Sequence, residues 1–144
     1  MTVLFVDGDS DECADYVSAV LRRGWQAEVA ANAESALAII ETDPPDVLVT
    51  DADLGGAFDG FELARRIKTD LATRHLPVIV LTDLPLGEWG GERVAAGCSA
   101  CVTKPCDVDS LMAAVNGALT IARILARRRA DRDPSLCGVG GLRA

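Results

Sequence analysis

Aromatic residues are scarce in this chain, which has three Phe, two Trp and one Tyr among its 144 residues. A hydrophobic core must therefore be built from Val, Leu, Ile and Ala, and an apolar fraction of 49% supplies enough of them for one domain. No apolar run approaches the roughly 18 residues that span a bilayer. We therefore expect a single globular domain that is not inserted in a membrane.

Positive charge is also in short supply, with 14 Lys and Arg residues against 22 Asp and Glu residues and a net charge of -8. An acidic surface repels phosphates, so nucleic acid is not an expected partner. The first residues, Met1 to Val6, are apolar but have no basic start, which argues against a signal peptide. Five cysteines without an export signal indicate reduced thiols and a cytoplasmic protein.

Short apolar runs alternate with segments of helical period along the chain. Three runs lack polar alternation, which is typical of strands buried on both faces of a parallel sheet, and lie at Val3–Val6, Val47–Val49 and Val78–Leu81. Ala27–Ala30 and Ala100–Val102 are two further strand candidates. Five strands alternating with five helices predict a doubly wound α/β sandwich, with helices on both faces of a parallel sheet.

Capping residues and helix breakers predict where the first helices begin and end. Ser10 and Asn32 are predicted N-caps, Gly24 is a predicted stop, and Pro44-Pro45 breaks the second helix. A fourth helix from about 87 to 96 is poor in helix propensity and is predicted mainly because the alternation requires one.

The last helix is predicted to be the longest. Asp107 is its predicted N-cap, and helical spacing of apolar residues leads to an end at Arg129. The arginines near that end either complement the helix dipole or form a partner or dimer contact. We accordingly divide the chain into a domain at residues 1–130 and a flexible C-terminal tail at 131–144.

The residues that follow the predicted strands carry the chemistry, because the ligand site of a doubly wound sheet lies at the carboxyl ends of its strands. Clustered carboxylates suit Mg²⁺, and one of them can attack phosphorus and become an acyl phosphate. The cation, a hydroxyl and an ammonium group would then stabilise the phosphoryl oxygens. The residues at these ends are Asp7, Asp9, Asp51, Asp53, Thr82 and Lys104.

Four segments, taken in their order, resemble the receiver domains of two-component response regulators. They are Phe5–Asp9, Asp46–Asp51, Leu76–Thr82 and Gly97–Pro105. The resemblance covers about Val3 to Val115 and implies a (βα)5 flavodoxin-like sheet of order 2-1-3-4-5.

The resemblance implies a signalling role and not an enzyme. Asp51 would accept a phosphoryl group from a sensor histidine kinase or phosphotransfer protein, and the domain would signal by contacting a downstream protein. Thr82 would be the switch hydroxyl, and Lys104 would contact the phosphoryl group, with a cis bond before Pro105. The Mg²⁺ ligands would be Asp7, Asp9, Asp51 and the backbone carbonyl of Asp53.

The sequence departs from the family at two functional positions. Gly8 stands where the family usually has the second of two adjacent acids, which contacts the metal directly. Either Asp9 substitutes for that acid or Mg²⁺ binding is weakened. Cys101 stands at the aromatic switch position, so the usual coupling between Thr82 and an aromatic ring is absent or altered.

Two other functions are left open. The departures fit a receiver-like scaffold that takes no phosphate and works through protein contacts alone. The segment Asp7-Gly8-Asp9-Ser10 also resembles the start of haloacid-dehalogenase-like phosphatases, with Asp7 as nucleophile and Asp9 as acid/base. The chain is short for that family, and Asp51 would be left without a role.

Overall fold

The computed structural model describes residues 1–55, 59–83, 97 and 99–132. Five parallel strands form one sheet in the order β2-β1-β3-β4-β5, which confirms the predicted topology. Each strand exceeds its predicted apolar run by one or two residues. The strands are β1 (Thr2–Val6), β2 (Gln26–Ala30), β3 (Val47–Asp51), β4 (Val78–Thr82) and β5 (Ala100–Thr103).

The helices within the described ranges cover both faces of the sheet. They are α1 (Ser10–Arg22), α2 (Ala33–Thr42), α3 (Gly60–Thr69) and α4 (Val108–Arg132). Helices α2 and α3 share a hydrophobic cluster with Leu4, whereas α1 and α4 share one with Val3 and Phe5. Neighbouring residues of β1 thus enter opposite cores, which is why its apolar run is continuous. The helix predicted at 87–96 lies outside the described residues.

The observed caps confirm most of the predicted helix ends and correct one. The N–H of Ser35 donates to Asn32 Oδ1 at 2.8 Å, and Gly24 has a left-handed φ of 80° just after α1. The prediction of Ser10 as an N-cap is wrong, because Ser10 is already helical. The cap is Asp9, whose extended backbone lets its carboxylate accept a hydrogen bond from the N–H of Asp11 at 3.0 Å.

Helix α4 begins as predicted and ends later. The N–H of Ser110 donates to Asp107 Oδ1 at 2.7 Å, and the helix ends at Arg132 instead of the predicted Arg129. Its buried side chains lie in the first half, at Leu111, Met112, Val115, Ala118 and Leu119. Its second half exposes Ile121, Ile124 and Leu125. Of the predicted tail, residues 133–144 lie outside the described part of the chain, and the division at residue 130 stays a prediction.

By length and composition alone, α4 could cross a membrane. Its apolar side chains from Leu111 to Leu119 instead pack against the sheet in the hydrophobic cluster that α1 and α4 share with Val3 and Phe5. A core helix of a soluble domain passes the same test of length and composition, so this one helix is weak evidence for a membrane span.

Candidate functional site

Strand register brings the first two predicted acids together. Val6 of β1 pairs with Thr50 of β3, so the residues that follow them, Asp7 and Asp51, share the carboxyl edge of the sheet. Asp7 is only 8% exposed, and the N–H of Asp9 donates to its Oδ1 at 2.9 Å. The register of adjacent parallel strands therefore places two carboxylates side by side with little access to water.

The register of β4 and β5 places the hydroxyl of Thr82 and the ammonium group of Lys104 at the same edge of the sheet. Thr82 pairs with Thr103, and the N–H of Lys104 donates to the carbonyl oxygen of Thr82 at 2.7 Å. The peptide bond between Lys104 and Pro105 is cis, as predicted. Thr82 is almost fully buried, and it lines a cleft of about 320 Å³ together with Asp51. The cleft is further lined by Ala52, Asp53, Asp59, Phe61 and Asp83.

The ammonium group of Lys104 lies between two carboxylates. Its Nζ is 3.1 Å from Asp51 Oδ2 and 2.6 Å from Glu12 Oε1. Burial acts to lower the pKa of Lys104, but hydrogen bonds and charge interactions with Glu12 and Asp51 outweigh it and hold that pKa above its ordinary value. Lys104 is therefore a permanent cation beside Asp51.

Glu12 is a site residue that the sequence reasoning missed. Carboxylate oxygens of Asp7, Glu12 and Asp51 all lie within 4.8 Å of one another. The available signal was position, because Glu12 is in the first turn of α1, the turn that follows the carboxyl end of β1. The search for acids stopped at the strand ends and did not extend into that helix.

The three carboxylates create a negative local field. Burial raises the pKa of Asp7, the N–H of Asp9 opposes that rise, and the charges of Asp51 and Glu12 add to it. Oxygen ligands with this excess of negative charge suit a hard divalent cation such as Mg²⁺. The residues present therefore fit a cation at this edge of the sheet.

The other two predicted metal ligands have local hydrogen bonds of their own. Asp9 is exposed, and its Oδ1 caps α1. Asp53 donates its N–H to Asp51 Oδ1 at 3.3 Å and accepts the N–H of Gly55 at its own Oδ1, at 3.2 Å. The roles of Asp9 and of the Asp53 carbonyl as metal ligands stay predictions.

Two further residues hold the backbone of the site in place. Gly60 begins α3 directly against the Asp51 carbonyl, and a Cβ there would lie well inside contact distance of that oxygen and 3.0 Å from the Cα of Ala52. The hydroxyl of Tyr16 donates to the carbonyl oxygen of Cys106 at 2.5 Å, just after the Lys104–Pro105 bond. Neither contact was predicted, because each joins segments that are distant in the sequence or depends on a close backbone approach.

The residue at the aromatic switch position is partly buried. Cys101 lies in β5 and packs against the hydrophobic cluster on the α2 and α3 face of the sheet. A thiol here is a small apolar side chain. Cys101 therefore has no aromatic ring that could rotate in response to a movement of Thr82.

Fold and site together define a doubly wound α/β domain with an acidic site, a buried hydroxyl and a lysine at the carboxyl edge of its sheet. Residues 3–116 match the family described as the response regulator receiver domain. The chain therefore belongs to the response regulator receiver family.

Curated relatives agree with this assignment. The response regulator PleD of Caulobacter vibrioides is 32% identical over 114 residues, which are 77% of this chain and 24% of PleD. Protein PilH of Pseudomonas aeruginosa is 29% identical over 81% of this chain and 96% of PilH. The heme response regulator HssR of Staphylococcus saprophyticus is 31% identical over 83% of this chain and 52% of HssR. The chain thus spans about a quarter of PleD, about half of HssR and nearly all of PilH.

Solved structures share the fold. A putative response regulator from Chloroflexus aurantiacus is 32% identical, with a TM-score of 0.74 over 83% of this chain and 97% of that one. NtrX from Brucella abortus, solved with ATP, is 27% identical, with a TM-score of 0.79 over 90% of this chain and 29% of that one. Neither the family match nor the cap at Asp9 supports a haloacid-dehalogenase-like phosphatase that uses Asp7 and Asp9.

Proposed function

We propose that this receiver domain is phosphorylated on Asp51 by a sensor histidine kinase or a phosphotransfer protein. The observation that carries the proposal is the position of Lys104 Nζ, 3.1 Å from Asp51 Oδ2 at a cleft that Thr82 also lines. An isolated strand-end aspartate would be a turn former, whereas a partly buried lysine and a buried hydroxyl beside Asp51 support a role in phosphoryl transfer.

The transfer uses these groups in sequence. A carboxylate oxygen of Asp51 attacks the phosphorus of the donor's phosphohistidine, the P–N bond breaks, and the leaving imidazole nitrogen takes a proton from water. Lys104 neutralises one phosphoryl oxygen, and the hydroxyl of Thr82 donates a hydrogen bond to another. The product is an acyl phosphate on the side chain of Asp51, which is labile enough to serve as a transient signal.

Mg²⁺ belongs to this proposal because receiver domains bind it at an acidic cluster. Asp7, Asp51 and the carbonyl oxygen of Asp53 are the proposed ligands, with Asp9 as a further candidate from the sequence. When bound, the cation supplies charge neutralisation for the incoming phosphoryl oxygens. The low exposure of Asp7 and of Asp51 keeps their charges poorly screened by water, which favours cation binding.

The output is proposed to be a contact with a downstream protein. Receiver domains are generally signalling domains and not enzymes, and they interact with histidine kinases or phosphotransfer proteins. A cytoplasmic location, no binding of nucleic acid and a homodimer built on α4 remain predictions. Sedimentation velocity over a range of protein concentrations would test the homodimer.

A phosphorylation-independent scaffold is the second candidate, and two residues favour it. Gly8 removes an acid from the cation site, and Cys101 removes the aromatic side chain that usually responds to phosphorylation. In this alternative the same domain binds its partners equally well with and without a phosphoryl group.

Mass spectrometry of the intact chain after incubation with Mg²⁺ and acetyl phosphate separates these two functions. We expect one phosphoryl group on the wild type and on Asp83→Asn, which changes an exposed acid of the same cleft, and none on Asp51→Asn. Beryllofluoride should bind the wild type and not Asp51→Asn. A label that persists in Asp51→Asn would refute the assignment of Asp51, and no label with no beryllofluoride binding would favour the scaffold.

A further inference from the structure

The acid that the family usually carries after Asp7 is missing here, although the backbone has room for it. A Cβ built on Gly8 meets only the carbonyl oxygen of Ala31, at an ordinary 3.8 Å. Gly8 also lies outside the set of glycines with positive φ, so its conformation is open to other residues. The backbone at Gly8 therefore does not require glycine, and the missing acid is a change in the composition of the site.

Glu12 brings a carboxylate to the same place from another element. The cap at Asp9 sets the start of α1, and the first helical turn then directs Glu12 toward Asp7 and Asp51. Two ligands on opposite sides of Mg²⁺ are about 4.2 Å apart, since each Mg–O distance is about 2.1 Å. The observed limit of 4.8 Å between oxygens is within reach of that spacing, because Glu12 is exposed and can rotate.

Asp7 offers an independent sign that a cation belongs here. It is 92% buried, and its Oδ1 accepts the N–H of Asp9. Among the side chains and backbone N–H groups that the structure describes, none donates to its other oxygen, and Lys104 forms its ion pairs with Glu12 and Asp51 instead. A buried carboxylate with one oxygen that accepts no hydrogen bond, beside two other carboxylates, is a costly arrangement that a divalent cation would relieve.

We propose that Glu12 is the third carboxylate ligand of the Mg²⁺ site and takes the place of the acid absent at Gly8. This inference rests on the proposed function and gives Glu12 the part that the sequence assigned to Asp9. Without the cation, Glu12 pairs with Lys104. When the cation binds, Glu12 turns to it, and Lys104 is left for Asp51 and its phosphoryl group.

Mn²⁺ is a suitable reporter ion, because electron paramagnetic resonance counts the unbound ion without any phosphodonor. We expect Glu12→Gln to weaken Mn²⁺ binding about tenfold, the low end of what a lost metal-site contact costs. Asp11→Asn, an adjacent exposed acid with the same change of charge, should weaken it less than about twofold. Gly8→Asp combined with Glu12→Gln should recover most of the affinity.

A Lys104→Met background separates a ligand from a residue that acts only through Lys104. If Glu12 is a ligand, Glu12→Gln still lowers Mn²⁺ affinity in that background. Three results would each overturn the proposal. Glu12→Gln and Asp11→Asn could weaken Mn²⁺ binding equally, or Glu12→Gln could leave Mn²⁺ affinity unchanged in the Lys104→Met background. The third is a wild type that binds no Mn²⁺. Thermal melts in EDTA check that every variant is folded.

Failure of this proposal and failure of the proposed function give different results. Wild-type Mn²⁺ binding that is insensitive to Glu12→Gln, with acetyl phosphate still labelling Asp51, overturns only the role of Glu12. Mn²⁺ binding that depends on Glu12 without any label on Asp51 leaves the cation site in place and refutes phosphorylation.

Discussion

Replacing Asp7 by Asn should stabilise the cation-free domain, which is unusual for a buried site. The carboxylate of Asp7 lies within 4.8 Å of those of Asp51 and Glu12. Each such pair repels by about 3.5 kcal/mol at an effective dielectric constant of about 20 and by about 0.9 kcal/mol in bulk water. Lys104 offsets part of this repulsion, so we expect a gain of about 1–2 kcal/mol. Asn keeps the Oδ1 that accepts the N–H of Asp9, so no hydrogen bond need be lost.

The pH dependence of that gain has a definite sign. The pKa of Asp7 is raised in the folded state above its ordinary value of 3.8, mainly by burial. A raised pKa means that protonated Asp7 favours folding, and this contribution is complete below the unfolded pKa and lost as pH rises through the folded pKa. The stability advantage of Asp7→Asn should therefore be present at pH 7.5 and shrink as the pH falls toward 4.

Urea unfolding in EDTA, followed by circular dichroism, measures the effect. Asp15→Asn changes an exposed acid of α1, away from the site, and should alter the free energy of unfolding by less than about 0.5 kcal/mol. Mg²⁺ at ten times its dissociation constant should stabilise the wild type by about 1.4 kcal/mol and the Asp7→Asn variant much less. An Asp7→Asn variant that is no more stable than the wild type in EDTA at pH 7.5 would refute the electrostatic reasoning.

Three other substitutions test the fold around the site by the same unfolding assay. Gly60→Ala should lower the free energy of unfolding by about 1–3 kcal/mol, because its Cβ would overlap the Asp51 carbonyl. It should also weaken Mn²⁺ binding. An unchanged unfolding midpoint would contradict the close approach of the two backbone segments. Ile79→Ala should cost about 2–5 kcal/mol, because this fully buried side chain in β4 leaves a cavity, and a loss below 1 kcal/mol would argue against its burial. Asn32→Ala should cost about 1 kcal/mol by removing the N-cap of α2, whereas Asn32→Asp should be nearly neutral.

The pattern of apolar runs was sufficient to predict the architecture. A strand buried on both faces needs apolar residues at every position, so β1, β3 and β4 could be recognised without knowledge of their neighbours. Short-range chemistry also placed Asn32 and Asp107 as caps, because each bonds to an N–H only three residues away. The cap of α1 was misplaced by one residue, since Asp9 and Ser10 are both good capping residues and only the backbone conformation distinguishes them.

The sequence by itself determined the sheet. It also indicated the site residues, because parallel strands bring their carboxyl ends to one edge of the sheet. Those residues are Asp7, Asp51, Thr82 and Lys104. Only the tertiary structure decided which acids share the site. The entry of α1 turns Asp9 to a cap and brings Glu12 to Asp7, Asp51 and Lys104. That choice depends on the direction in which a helix leaves a strand, which is set by packing between distant segments and not by local residue patterns.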